Sequence, residues 1–159
     1  MSNKFTVSAP GLSLMKKEIQ KNLSFLKTKD FVTVGIHEDA GTHPNSEETN
    51  AQIGATLHFG NSYIPARPWL DVGVRSGQSQ YNQMIKLGIK KKENISLVLD
   101  RVGQVAVGKV KEYMTNLSTP PNAKSTVKEK GFNNPLIHTG ELRSSITSKI
   151  VSNKPSEGI

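Results

Sequence analysis

The residue types that most often carry chemistry are present in this chain, but they are not spaced as catalytic or metal-binding motifs. The chain has no cysteine, which excludes disulfides, thiolate metal sites and cysteine nucleophiles. Its glycines form neither a GxGxxG fingerprint nor a phosphate loop, and no GxSxG elbow is present. The histidines show no HxxxH or HExxH spacing; they are His37, His43, His58 and His138. We therefore expect a protein that is not an enzyme and that holds no metal or cofactor.

The charge of the chain favours acidic partners. Its formal net charge is +8 and its sequence pI is about 9.7. The densest basic cluster consists of Lys86, Lys90, Lys91 and Lys92. A surface that binds single-stranded nucleic acid requires aromatic residues between the basic ones, and none lies among these lysines. Two interpretations stay open: a surface that contacts nucleic acid, and a solvated surface that keeps the chain soluble.

Two stretches combine a stiff backbone with an arginine and a large apolar residue. The first, at 57–70, contains Ile-Pro-Ala-Arg-Pro-Trp-Leu at 64–70, and the second is Pro-Leu-Ile-His-Thr-Gly-Glu-Leu-Arg-Ser-Ser-Ile at 135–146. Arg67 lies between two prolines, so little backbone entropy remains to be lost when it is fixed. A guanidinium held in this way can form planar paired hydrogen bonds to a carboxylate or to backbone carbonyls.

These stretches have two interpretations. They are docking surfaces for another subunit, since arginine and aromatic residues are enriched at interfaces. Alternatively, they pin loops onto their own domain, with Arg67 bonded to carbonyls of its own chain and Trp69 in the core. The interface candidates are Ile64, Pro65, Ala66, Arg67, Pro68, Trp69, Leu70, Leu136, Thr139, Gly140, Glu141, Leu142 and Arg143.

The elements that position these stretches follow from hydrophobic periodicity. Apolar residues three and four apart predict helices over residues 12–27, over 79–92 and, most clearly, over 94–117. Alternating β-branched residues predict strands over 31–37 and 145–151.

One more helix is predicted from capping residues. Ser46 is the expected N-cap, and Glu47 and Glu48 would occupy the first turn, where the helix dipole favours negative charge. The helix is expected to stop near Phe59, because Gly60 is a good C-cap residue. The acidic residues here therefore indicate a helix start and a solvated loop, and not a cation site.

The remaining segments are expected to lack regular structure. Two prolines should keep residues 64–70 extended. Residues 118–134 are expected to form a long flexible loop, and residues 152–159 a disordered tail. Together these elements predict one α+β domain over residues 1–151, with a small, mostly antiparallel sheet packed against the long helix.

In order and spacing, residues 10–151 resemble the phage virion-morphogenesis family, which includes head–tail joining and tail-completion proteins. The resemblance rests on the aromatic-Gly turn at Phe59-Gly60, on Ile-Pro-Ala-Arg-Pro-aromatic-Leu at 64–70 and, after a long helix, on the motif at 135–146. The strand at 32–36 also matches in place.

The resemblance implies a structural subunit of a tailed-phage virion. It would pack with copies of itself, six or twelve, into a ring at the neck, next to connector, head-closure and tail proteins. Lys90, Lys91 and Lys92 would be the contacts to DNA passing through the lumen. No secretory signal or transmembrane segment is apparent, so we expect assembly in the host cytoplasm, residence in the virion and no membrane partner. The alternatives are a tail-terminator ring that caps the tail tube and a basic nucleic-acid-binding domain.

Overall fold

The structure, a computed structural model, describes residues 10–23, 29–37, 40–41 and 47–152. These residues form helices packed around a two-stranded sheet, which confirms the predicted α+β class. In chain order the elements are α1 (Pro10–Asn22), β1 (Phe31–Ile36), α2 (Asn50–Phe59), α3 (Trp69–Ser76), α4 (Gln78–Lys90), α5 (Ile95–Asn116), α6 (Lys124–Lys130), α7 (Glu141–Ser144) and β2 (Ile146–Val151).

The long helix α5 is the centre of the fold, and its predicted bounds are confirmed to within a residue. It begins after Asn94, whose side chain accepts a hydrogen bond from the backbone of Ser96 at 2.9 Å. One face of α5 packs on the sheet and another packs on α3 and α4. The side chains that it buries are Val98, Val102, Ala106, Val110 and Met114.

The approach of α3 to α5 is close enough to require a glycine. A Cβ atom on Gly73 would lie 2.8 Å from the Cα of Val110, closer than real Cβ contacts. Because the obstructing atom belongs to the backbone of α5, no side-chain rotation could relieve the clash. The helices can therefore approach this closely only with glycine at position 73.

The sheet consists of β1 and β2, which pair antiparallel with Phe31 opposite Val151 and Ile36 opposite Ile146. Both strands were predicted, and both are confirmed. The inner residues, such as Val34, Ile36 and Ile146, pack on the core. On the other face His37 bridges the strands through hydrogen bonds to Thr33 and Thr147 at 3.0 and 2.9 Å.

Helix α2 begins later than predicted. Its N-cap is Thr49, whose hydroxyl accepts from the backbone of Gln52 while the Gln52 side chain accepts from the backbone of Thr49. Glu47 and Glu48 thus precede the helix instead of forming its first turn, and Ser46 lies outside the described residues. The reciprocal pair of hydrogen bonds explains why the helix starts at Thr49. The predicted end at Phe59 is confirmed.

Two helices occur where regular structure was not expected. Trp69 and Leu70 belong to α3, because Pro68 ends the extended segment and a proline is tolerated at a helix start. The prediction that residues 118–134 form a long flexible loop is wrong, because α6 lies within that segment.

Side-chain hydrogen bonds fix the path of the chain on both sides of α6. The Asn122 side chain donates to the carbonyl of Asn134 at 3.2 Å. The Asn134 side chain donates to the carbonyls of Met114 and Thr115 at the end of α5. It also accepts from the backbone of Leu136. This network ties the segment to the C-terminal end of α5.

Parts of two further predictions cannot be compared with the fold. The helix predicted over 12–27 is α1, which ends at Asn22, and residues 24–28 lie outside the described residues. The same holds for residues 153–159 of the predicted tail. No helix in the described ranges combines the length and the apolarity that crossing a lipid bilayer requires.

Candidate assembly surface

The two stretches singled out in the sequence pack together, although about 70 residues separate them. They meet on α2, where a Cβ atom on Gly54 would lie 3.3 Å from Trp69 and 3.4 Å from Leu142. The indole Nε1 of Trp69 donates to the carbonyl of Gly54 at 3.1 Å, which satisfies the one polar atom of this side chain. Leu136 and Met114 complete the same buried cluster.

Arg67 is only 4% exposed and binds its own chain. Its Nε donates to the carbonyl of Pro120 and its Nη2 to that of Pro121, both at 3.0 Å. Burial lowers the pKa of Arg67 from its usual value. The fork therefore holds the start of the 118–134 segment against the core. Of the two interpretations of the first stretch, the structure shows the second for Arg67, which binds carbonyls of its own chain.

Four interface candidates are thus interior residues and offer nothing to a partner. They are Arg67, Trp69, Leu136 and Leu142. The sequence left both interpretations open, because a stiff backbone beside arginine and large apolar residues is typical of both interfaces and anchors. The candidates that remain exposed are Pro65, Ala66, Pro68, Thr139, Glu141 and Arg143, whereas Ile64, Leu70 and Gly140 are half-buried.

Between α2 and these anchors, a tight turn projects an aromatic side chain into solvent. The side chain of Asn61 accepts hydrogen bonds from the backbone of Tyr63 at 2.9 Å and of Ile64 at 2.8 Å. Gly60 adopts a φ of +73°, and a Cβ there would lie 2.6 Å from the carbonyl oxygen of Ile64. Tyr63, at the tip, is 94% exposed.

Phe59 adds a second exposed aromatic side chain beside this turn, at the end of α2, with 54% of its surface exposed. The sequence interpretation missed both Phe59 and Tyr63. The available signal was Gly-Asn-Ser followed by Tyr63, which indicates a tight turn with an aromatic residue near its tip. We call Phe59, Tyr63 and the exposed Pro65 and Ala66 the aromatic turn.

Three chemical features make the aromatic turn suited to docking. Tyrosine is enriched at binding hot spots, where it supplies a large contact area from few rotatable bonds. The hydrogen bonds from Asn61 hold the backbone before any partner arrives, so little entropy is lost on binding. Arg67 and Trp69, which follow the turn, fix its C-terminal side to the core.

A second exposed apolar surface lies on α1. Its side chains Leu14, Met15 and Ile19, and Leu23 just beyond its end, are between 46% and 67% exposed. An amphipathic helix of 13 residues is marginal in water by itself and derives its stability from packing of the apolar face. Within the described part of the chain, the apolar face of α1 is therefore left without the packing that would stabilise the helix.

A small open pocket of about 90 Å³ lies between α2 and the 135–142 segment. Its wall is mostly apolar, with Ile53 and Leu57 on one side and Ile137 on the other. The ammonium of Lys130 reaches its edge and donates to the carbonyl of Asn134 at 2.7 Å. A pocket of this size and polarity suits a single side chain rather than a cofactor.

The lysines predicted to contact DNA lie away from these features. Lys90 ends α4, and Lys91 and Lys92 form the turn into α5, where all three are exposed. The aromatic turn follows α2. The Arg67 fork lies near the C-terminal end of α5, whereas the lysines precede its N-terminal end. The structure therefore does not bring the lysines and the two motifs into one site.

No grouping suited to catalysis is evident from the histidines that the structure describes. His58 packs edge-on against Phe59 and Trp69, and His37 bridges the two strands. Within the described ranges, no three His, Asp or Glu side chains are arranged to hold a metal ion.

Comparisons of the chain with protein-family models, with curated proteins and with solved structures found no match.

Proposed function

We propose that this chain is a structural subunit of a tailed-phage virion, which assembles with copies of itself into a ring at the neck and completes the tail. Two lines of reasoning support the proposal. The ordered motifs at 59–70 and 135–146 resemble the virion-morphogenesis family. The aromatic turn then gives the subunit a preformed surface on which a neighbour can pack.

The observation that carries the proposal is the exposure of Tyr63 on a backbone that is already fixed. The ring of Tyr63 is 94% exposed, so a partner that covers it would gain the free energy of burying its apolar surface. The anchoring of Arg67 and Trp69 in the core gives the first motif a division of labour. Its second half fastens the segment, and its first half presents the side chain.

A closed ring requires two different patches that meet head to tail. The aromatic turn is the first patch, and the exposed face of α1 is the second. In this arrangement the turn of one copy packs on Met15 and Ile19 of the next. The proposal thus predicts that loss of either patch prevents ring closure.

The test measures the oligomer mass by light scattering after size-exclusion chromatography. The unaltered chain is expected to elute at several multiples of 17.4 kDa, alone or after addition of connector protein. Tyr63→Ala is expected to weaken each contact by about 2 kcal/mol, a value typical of a hot-spot residue, which is roughly a 30-fold loss in affinity. Leu97→Ala is the matched control, because Leu97 is also a large exposed apolar residue but lies on α5.

The second patch has a control within the same helix. Met15→Ala with Ile19→Ala removes two apolar side chains, while Lys17→Ala with Gln20→Ala removes two polar ones. Alanine is the best helix former, so neither pair should unfold α1. Only the first pair is expected to dissociate the ring.

Mixing tests the head-to-tail arrangement directly. A Tyr63→Ala copy and a Met15→Ala/Ile19→Ala copy each retain one intact patch, so the mixture should form dimers and no ring. A chain that stays monomeric both alone and with connector protein would refute the proposal. So would rings that form unchanged in both altered proteins.

A further inference from the structure

A basic end is assembled at the turn between α4 and α5 from two distant parts of the chain. Lys90, Lys91 and Lys92 are exposed there, and Lys86 lies four residues before Lys90, on the same side of α4. Asp30, the residue after Lys29, accepts a hydrogen bond from the hydroxyl of Ser96 in the first turn of α5. This bond brings Lys29 to the same end of the fold. We call Lys29, Lys86, Lys90, Lys91 and Lys92 the basic end.

Two acidic groups at the basic end have partners other than these lysines. The carboxylate of Glu93 forms an ion pair with the guanidinium of Arg101. Asp30 accepts from Ser96. Among the described residues, no ion pair joins a carboxylate to one of the five lysines. The positive charge is therefore available to an external anion.

The start of α5 adds to this charge. The helix has 22 residues, and only Glu93 and the N-cap Asn94 separate its N-terminus from the lysines. Aligned peptide dipoles place roughly half a positive charge at such an end. The carboxylate of Asp30, which accepts from Ser96 in the first turn, offsets part of this effect.

The backbone of Lys92 supplies an independent observation. Its φ is +54°, in the left-handed region that residues other than glycine, asparagine and aspartate rarely adopt. The backbone of Lys92 donates to the carbonyl of Ile89, and that of Glu93 to the carbonyl of Gly88. These bonds define a Schellman motif in which Lys92 holds the position that glycine normally occupies. A lysine at this position has a conformational cost that a role for its charge would explain.

We propose that the basic end binds the phosphate backbone of duplex DNA without sequence preference. A duplex carries about one negative charge per 1.7 Å of its axis, so several lysines grouped in one turn can reach phosphates together. Lysine is a compact point charge, which suits contacts to phosphate oxygens. Residues 86–94 include no aromatic side chain, which sets this surface apart from stacking platforms. The inference rests on the charges of one subunit and does not require the ring.

The experiment measures binding to a short, mixed-sequence, fluorescently labelled duplex by anisotropy, at salt concentrations between about 50 and 200 mM. Each phosphate contact contributes a slope of about −0.9 to the dependence of log affinity on log salt. Lys90→Gln with Lys91→Gln should therefore reduce the slope by about two and the affinity by roughly 10- to 60-fold. The matched control is Lys124→Gln with Lys128→Gln, which removes the same charge from exposed lysines on α6.

Lys92→Gly separates binding from folding. Glycine fits the left-handed position better, so this variant should melt about 2–4 °C higher while its affinity for the duplex falls roughly 5- to 10-fold. A loss of binding in a more stable protein cannot be attributed to unfolding.

Three outcomes would overturn the inference. The first is that the unaltered chain fails to bind the duplex at the lowest salt concentration. The second is that the α6 control loses as much affinity as the basic-end pair, which would make net charge the cause. The third is that vesicles rich in phosphatidylserine bind with the same lysine dependence while the duplex does not, which would reassign the surface to membranes. Assembly is measured separately, so none of these results bears on the ring.

Discussion

The fork of Arg67 leads to a prediction that separates an anchor from an interface residue. Arg67→Ala removes two hydrogen bonds from a charged donor to the carbonyls of Pro120 and Pro121. Bonds of this kind contribute about 1.5–3 kcal/mol each. Some of that stabilisation is offset, because the carbonyls can regain water and the repulsion between Arg67 and Lys130 disappears. We expect the free energy of unfolding to fall by about 2–4 kcal/mol, which lowers the melting temperature by roughly 5–15 °C.

The assay is urea unfolding of the non-assembled subunit, followed by the fluorescence of Trp69, the only tryptophan in the chain. Arg67→Lys keeps the charge but not the planar fork, so it should lose about half as much stability. Arg143→Ala is the control, since that exposed arginine makes only a 3.4 Å contact to the carbonyl of Lys111 and should change stability by less than about 0.5 kcal/mol. If Arg67→Ala costs less than about 1 kcal/mol yet abolishes assembly, the fork binds a partner in the working protein and the reasoning fails.

Two further predictions concern packing and charge. Gly108 has open space around its Cβ position, so Gly108→Ala should raise the free energy of unfolding by about 0.5–1 kcal/mol. Gly73→Ala would force α3 away from Val110 and should lower it by about 1–3 kcal/mol. Equal shifts in melting temperature for the two variants would contradict the packing described. Burial, and then the charge of Arg67, lower the pKa of Lys130 below 10.5. The folded chain thus holds this proton less tightly than the unfolded chain. Stability relative to Lys130→Met should rise with pH in the range just below the usual lysine pKa in urea titrations, and a falling difference would contradict this sign.

The elements predicted from the sequence are those whose signal is local and periodic. Helix α5 repeats apolar residues at three and four over its length, and β1 alternates β-branched residues, so each pattern alone specifies the element. Helix α3 has eight residues behind a proline, and α6 is almost wholly polar, so neither shows enough periodicity. Tertiary hydrogen bonds decide the path of the chain around them.

The candidate site shows the same limit. Sequence reasoning singled out residues 57–70, but it could not tell which half of them faces inward. Arg67 is buried only because the carbonyls of Pro120 and Pro121, more than 50 residues later, accept its two bonds. Tyr63 is exposed because the Asn61 turn directs it outward, against the usual preference of aromatic residues for burial. Both outcomes depend on partners that no local pattern reveals.

The pairing of β1 with β2 has a consequence for synthesis. His37 and Thr147, which bond across the sheet, lie 110 residues apart in the chain. The ribosome therefore releases the first strand long before its complement exists, and the nascent chain carries an unmatched, apolar strand throughout that interval. The sheet cannot form until β2 has emerged, so a product truncated before Ile146 would expose an unpaired strand rather than form a smaller stable domain.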